Sequence, residues 1–318
     1  MLLSYFLILL ISFFILVKSG SLLVRTLFLI SRFLGIGEFT LAFILMSFAT
    51  SLPELFVGIE SALSAKPTLS LGNILGANII NMTLALGFVT AISGGFALKS
   101  ETAKRDIWSI WLISILPIIL LTDLTLSRID GIILLIVFFF YARHLLKEKV
   151  YAALNNVNQN AVTFKLFIKD VFLFIFGIIL LFASSWAVVF SASQIASQLT
   201  LPLFVVGIFL LAFGTTLPET VFGLRSILTK HEDMALGNVL GSVAVNSTLI
   251  LGIVSLIHPI QVQDAPSFLY ASLFMIFAFL PLIFLIRTRE RLTMSHGLLL
   301  MFFYVIFVIG EIIIKSAI

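Results

Sequence analysis

The chain has 318 residues, 61% of them hydrophobic and only 11% charged, with a mean hydropathy of +1.22. Those values lie far outside the range of soluble globular proteins and specify a polytopic membrane protein. The absence of cysteine excludes disulfides, thiolate metal sites and a cysteine nucleophile, and a net charge of +4 in so apolar a chain bears on topology rather than on nucleic acid.

Apolar runs of about 17–25 residues fit α-helical spans, whereas a transmembrane barrel would show shorter alternating segments. Met1 to Val17 is apolar with no basic residue ahead of it, so it lacks the charged start of a signal peptide; Lys18 follows the run, which suits a retained helix with its N-terminus outside. Ten spans are predicted in chain order: 2–22, 39–62, 70–96, 107–122, 130–147, 168–190, 202–227, 235–257, 267–286 and 296–315. Residues 23–36 and 191–200 are expected to continue their preceding helices. The Asn-rich stretch within 148–163 reads as a cytoplasmic linker between a first half, 1–147, and a second, 164–318.

Sixteen of the nineteen Lys and Arg residues fall in alternate connections, leaving Lys66, Arg128 and Lys315 on the opposite side. By the positive-inside rule the basic side is cytoplasmic, both termini lie outside and the span count is even. The expected location is the plasma membrane, the inner membrane of a bacterial cell. No protein partner is evident.

The chain repeats itself. Shifted by 165 residues, Leu45–Gly87 aligns without a gap on Leu210–Gly252, with 19 identities in 43 positions. The identities concentrate in polar and small residues, among them Thr50/Thr215, Pro53/Pro218, Glu54/Glu219, Gly58/Gly223, Gly72/Gly237, Asn73/Asn238 and Asn81/Asn246. Five spans per half turn the second copy upside down, giving an inverted repeat with its paired motifs near the midplane.

Those motifs are Thr50-Ser51-Leu52-Pro53-Glu54 and Thr215-Thr216-Leu217-Pro218-Glu219. A carboxylate at this depth costs about 2.5–3.5 kcal/mol on insertion scales, and taking that cost twice asks for a function. Pro53 has no N–H to give the carbonyl of Ala49, so the helix must kink or open there, and Pro218 repeats the argument. Oxygen-rich helix breaks suit hard cations. Two carboxylates match the charge of one Ca²⁺, and an empty site would be costly to carry across the membrane, which favours exchange over leak. The hydroxyls of Thr50, Ser51, Thr215 and Thr216 are candidate ligands, although such groups also bond their own helix backbone. Asn81 and Asn246 lie two turns beyond Asn73 and Asn238 and bring uncharged amide oxygens towards the acids. Asn73 and Asn238 can bond the broken neighbouring helix, while the glycines four apart, Gly72-x-x-x-Gly76 and Gly237-x-x-x-Gly241, allow close approach. Glu60 is a candidate acid on the approach path. His258, Asp264 and Glu311 read as interfacial. There is no Gly-x-Ser-x-Gly or His-Glu-x-x-His, so a hydrolase is not indicated.

These paired motifs resemble the α-repeats of the sodium/calcium exchanger family. The family pattern is Gly-Thr-Ser-Leu-Pro-Glu followed by Gly-Asn-x-x-Gly-Ser-Asn. Here the first copy reads Ala49 to Glu54 with Gly72-Asn73-Ile74-Leu75-Gly76-Ala77-Asn78, and the second Gly214 to Glu219 with Gly237-Asn238-Val239-Leu240-Gly241-Ser242-Val243. The resemblance implies an all-α protein of ten transmembrane helices in two inverted five-helix repeats. It implies Ca²⁺ between Glu54 and Glu219 with oxygens of Thr50 and Thr215, and Na⁺ around the same acids plus Ser242. It also implies that the first and sixth helices slide against an eight-helix core. Two departures bear on the driving ion. Ala77 stands where the pattern has serine, and Asn246 where several members carry Asp. The expected function is therefore secondary Ca²⁺/Na⁺ antiport by alternating access, not enzyme catalysis and requiring no cofactor, with H⁺/Ca²⁺ exchange on the same scaffold as the alternative.

Overall fold

The computed structural model describes residues 2–33, 48, 50–98, 101–153, 164–229, 232–289 and 291–317. Among the described residues ten helices follow one another: α1 (Leu2–Phe33), α2 (Leu52–Leu63), α3 (Pro67–Ile92), α4 (Glu101–Leu120), α5 (Arg128–Ala153), α6 (Phe164–Gln198), α7 (Leu203–Leu228), α8 (232–257), α9 (Ala265–Thr288) and α10 (Met294–Ala317). Eight of them are long and apolar enough, on their described residues, to span a membrane. The first part of the predicted second span, 39–47, lies outside the described residues. So do residues 154–163 of the predicted linker, into which α5 extends as far as Ala153.

One predicted span ends early. α3 stops at Ile92 rather than 96 because Gly94 and Gly95 take φ of +71° and +98°, a left-handed turn that glycine adopts without steric cost. The chain then enters a short strand, β1 (Gly95–Ala97). The expected continuation of the first span is present as far as Phe33, with 34–36 outside the described residues, and that of the sixth reaches Gln198, where a turn with Thr200 at φ +53° ends the helix before 200. α1 and α6 have 32 and 35 residues, so at 1.5 Å per residue each is roughly 50 Å long against a hydrocarbon core of about 30 Å. They must tilt or project beyond it, and they pack along one another.

The centre belongs to α3 and α8, whose most apolar windows are 83% and 78% buried, against 22% for α10. The glycine spacing read from the sequence works as expected on α3: a Cβ at Gly72 would stand 2.2 Å from the carbonyl oxygen of Phe204, and one at Gly76 would stand 2.2 Å from that of Ile208. Backbone therefore meets backbone between α3 and α7, one helix from each repeat.

Four short strands make the inversion visible. β1 pairs antiparallel with β4 (Arg291–Thr293), before α10, and β2 (Thr125–Leu126), before α5, pairs with β3 (Ile260–Gln261), before α9. Each ribbon joins the loop after the third helix of one repeat to the loop before the fifth helix of the other, so the two ribbons are repeat mates of one another. The β1/β4 ribbon lies on the face carrying most Lys and Arg, here the basic face. The β2/β3 ribbon lies on the face carrying the chain ends, here the terminal face.

Candidate cation site

The two acids sit at matching helix restarts. In α7 the helix is interrupted at Thr216 (φ −82°, ψ −2°) and resumes at Leu217 with Pro218 in its first turn. Ser51 takes the same role ahead of α2 (φ −82°, ψ 4°), with Pro53 in the first turn. Glu54 and Glu219 each fall in the first turn of the resumed helix, where the helix dipole favours a negative charge by about 0.3–1 kcal/mol. The break expected from the prolines is thus also the device that makes the carboxylates tolerable.

The second device is a pair of π-helical turns. Asn81–Ala85 in α3 and Asn246–Ile250 in α8 both open on the predicted amide. A π-turn inserts one extra residue into the helix and recurs at functional sites. The Asn81 turn packs on the α7 segment that carries Glu219, and the Asn246 turn packs on α2, which carries Glu54. The two repeats therefore interlock across the site rather than each building its own half.

Hydrogen bonds follow the same crossed plan. Thr50 Oγ1 donates to Asn238 Oδ1 at 2.9 Å, and Thr215 Oγ1 donates to Asn73 Oδ1 at 3.1 Å. Thr50 also lies 3.3 Å from the Ser242 hydroxyl. Thr215 stands beside Glu54, Thr50 beside Glu219, and the two carboxylates are close enough to interact. Thr216 spends its hydroxyl on its own helix, donating to the Ala212 carbonyl at 2.8 Å, the local bond that competes with a ligand role for such residues. Asn73 and Asn238 accept from the threonines of the opposite repeat, rather than bonding broken backbone as the sequence predicts.

Asn78, to which the sequence assigns no role, is part of the same network. Its Oδ1 accepts from Asn246 Nδ2 at 3.1 Å, and its own Nδ2 donates to Ser247 Oγ at 2.9 Å. With its amide nitrogen held, Asn246 is left with Oδ1 unpartnered. The signal that could have revealed this is the asymmetry at the matched position, where the second repeat carries Val243.

Burial here is complete. Glu54 and Asn81 are 0% exposed and Glu219 is 1%. Both oxygens of each glutamate, the hydroxyl of Ser51 and the amide oxygens of Asn81 and Asn246 have no hydrogen-bond partner among the described residues. Seven buried oxygens and two carboxylate charges without partners are far more than a folded interior tolerates by neglect. The set is all hard oxygen, the donor class of alkali and alkaline-earth cations. A narrow, partly open recess with room for about one water, about 10 Å³, reaches Glu219 and is lined by Ala85, Leu86, Val89, Thr220, Gly223, Ala235 and Val239. These residues lie on the half of α3, α7 and α8 towards the basic face.

Glu60 is half-buried and accepts a hydrogen bond from Ser64 Oγ at 3.1 Å. Its match in the second repeat is Arg225, so the two vestibules differ in charge.

Comparison with known proteins agrees with this arrangement. The family model described as sodium/calcium exchanger protein matches twice, over residues 4–147 and 169–312. The sodium/calcium exchanger MaX1 of Methanosarcina acetivorans is 26% identical, with 96% of this chain and 97% of that protein covered. Inner membrane protein YrbG of Escherichia coli is 27% identical over 80% of this chain and 81% of its own length. Among solved structures, the sodium-calcium exchanger NCX_Mj soaked with Na⁺ and Sr²⁺ superposes with a TM-score of 0.66 at 25% identity, covering 96% of this chain and 98% of that one. With ten helices in two inverted repeats and a buried, oxygen-lined centre, the chain belongs to the sodium/calcium exchanger family and is a multi-pass membrane cation antiporter.

Proposed function

We propose that the protein exchanges Ca²⁺ for Na⁺ across the membrane by alternating access, with Ca²⁺ held between Glu54 and Glu219. The observation that carries this reading is the set of seven unpartnered oxygens with two negative charges, which matches the roughly 6–8 oxygens and the charge that one Ca²⁺ takes. Ser51, Asn81 and Asn246 supply neutral oxygens. The hydroxyl oxygens of Thr50 and Thr215 keep lone pairs towards the acids while their protons go to Asn238 and Asn73. Thr216, bonded to its own helix, has the weakest claim of the predicted ligands.

Na⁺ would take the same carboxylates, with Ser242 as an additional oxygen. Three Na⁺ against two carboxylates leave a net charge of +1, and one Ca²⁺ leaves none, so the exchange would be electrogenic. Proton-driven exchange is the second reading, favoured by the side chains at two positions: Ala77 is a buried methyl where its repeat mate Ser242 has a hydroxyl, and Asn246 is neutral. In that reading Glu54 and Glu219 release protons when Ca²⁺ enters.

The chain divides functionally into the repeat 1–147, the linker 148–163 and the repeat 164–318. The distribution of Lys and Arg supports a cell inner membrane orientation with the basic face cytoplasmic and both termini outside.

Purified protein in liposomes loaded with Na⁺ should take up radiolabelled Ca²⁺ when diluted into Na⁺-free medium, and an imposed membrane potential should alter the rate. Uptake that ignores Na⁺ and follows a pH gradient would replace this reading with proton exchange.

A further inference from the structure

The last two helices hold a buried carboxylate that the central site does not use. Glu311 of α10, expected from sequence to be interfacial, is 1% exposed, and neither of its oxygens has a hydrogen-bond partner among the described residues. Beside it lies Ser267, in the first turn of α9, fully buried, with its hydroxyl near enough to interact with the Glu311 carboxyl but not in hydrogen-bond geometry with it or with any other described residue. Asp264, just before α9, is ion-paired with Lys315, one turn beyond Glu311. The nearby fixed cation is therefore already neutralised, and one negative charge is left over.

The turn that carries Glu311 is held in place. Tyr270 of α9 stacks on Phe307, with ring centroids 5.7 Å apart and planes 2° from parallel. Its hydroxyl donates to the carbonyls of Ile306 and Phe307 at 3.2 and 3.3 Å. Gly310 makes this approach feasible, since a Cβ there would stand 2.0 Å from the tyrosine oxygen. The matching turn of the first repeat reads Leu145-Leu146, so the cluster is not a by-product of the duplication that made the centre.

We propose that Glu311 and Ser267 form a second cation site, for one monovalent ion, at the terminal face between α9 and α10. A single uncompensated carboxylate matches one positive charge and not two. Two carboxylate oxygens and a hydroxyl are hard donors of the kind that Na⁺ and K⁺ take. A proton serves one carboxyl oxygen directly, whereas a coordinated ion engages all three. The Asp264–Lys315 pair forms one wall of the site and keeps the lysine from occupying it.

The test uses the full chain in lipid nanodiscs carrying E54Q and E219Q, so that a response to salt cannot arise from the paired acids. NaCl and KCl are titrated against equal choline chloride while thermal unfolding is followed. A saturable rise in Tm with one of the two ions is expected, abolished by adding E311Q and weakened about tenfold in apparent affinity by S267A, the size typical for loss of a supporting ligand. No response to either ion, or a response that E311Q leaves unchanged, overturns the proposal. Infrared difference spectra of the otherwise native chain against E311Q give a measurement that does not need the triple variant to fold. Glu311 should show a carboxylate band at neutral pH and saturating salt, and a persistent protonated-carboxyl band would assign the site to a resident proton and refute ion binding.

Discussion

Gly58 and Gly223 occupy equivalent positions in the two repeats and meet opposite surroundings. A Cβ at Gly58 would touch Ser70, Val254 and Ile250 at 3.0, 3.0 and 3.2 Å, whereas at Gly223 the nearest atom is Val89 at 3.8 Å. The residues lining the recess beside Gly223 include Ala85, Val89 and Ala235. Their repeat mates are Ile250, Val254 and Ser70, the three that close on Gly58. One constellation is thus present twice, shut towards the terminal face and open towards the basic face. Two contributions can be separated. Ile250 is a larger plug than Ala85, a difference of composition that persists in every state; the spacing of the helices is a difference of conformation that the proposed cycle would reverse.

The carboxylates are common to both halves, so removing one should abolish the function whichever face is open. In E54Q or E219Q the initial rate of Ca²⁺ exchange in liposomes is expected to fall by about a hundredfold or more, beyond the 10–100-fold typical of outer-shell partners; near-native flux in either would end the assignment of Ca²⁺ to the pair. A smaller effect separates the two halves. G58A overpacks the shut side by about 1–3 kcal/mol, a shift of roughly 5- to 150-fold in the equilibrium between faces, while G223A meets only ordinary contact. Exchange should drop in G58A and stay near native in G223A, and equal losses in both would mean that the asymmetry has no bearing on transport.

The absence of native cysteine makes the same asymmetry directly readable. T220C, on the wall of the recess, should react with an impermeant thiol reagent from the basic face. L55C, its repeat mate, should be protected, and G58A should narrow the gap between them. Within the centre, N78V copies the residue of the second repeat and releases the amide of Asn246. Ca²⁺ affinity measured by calorimetry should weaken about tenfold, with no change expected if Asn246 is not a ligand. The mildest substitution is A77S, which restores the hydroxyl that Ser242 has; it should steepen the dependence of exchange on Na⁺, and an unaltered Na⁺ response would remove that explanation of the departure.

Much of this was legible in the chain because charge in hydrocarbon is expensive and glycine is rarely idle. Glu54 and Glu219 stood out on cost alone, Gly72 and Gly76 on spacing, and the inversion on an odd number of spans per repeat. Partner choice was not legible. That Thr50 bonds Asn238 of the other repeat depends on which faces of α2 and α8 meet, which no local pattern encodes. The π-turns at Asn81 and Asn246 leave no mark on apolar periodicity, since one added residue rotates the stripe without breaking it. Glu311 misled because a carboxylate four residues before a terminal lysine reads as water-facing, and only the packing of α9 encloses it.

The two ribbons have a consequence for how the protein is made. β1 leaves the ribosome roughly 200 residues before β4, the strand that pairs with it, which at about 5–20 residues per second is a wait of about 10–40 s. During that interval the first five helices present an unpaired strand edge and an unmatched acid to the insertion machinery and to any neighbouring copy. Neither ribbon can form within one repeat, so a chain cut short before residue 291 would lack the closure on the basic face.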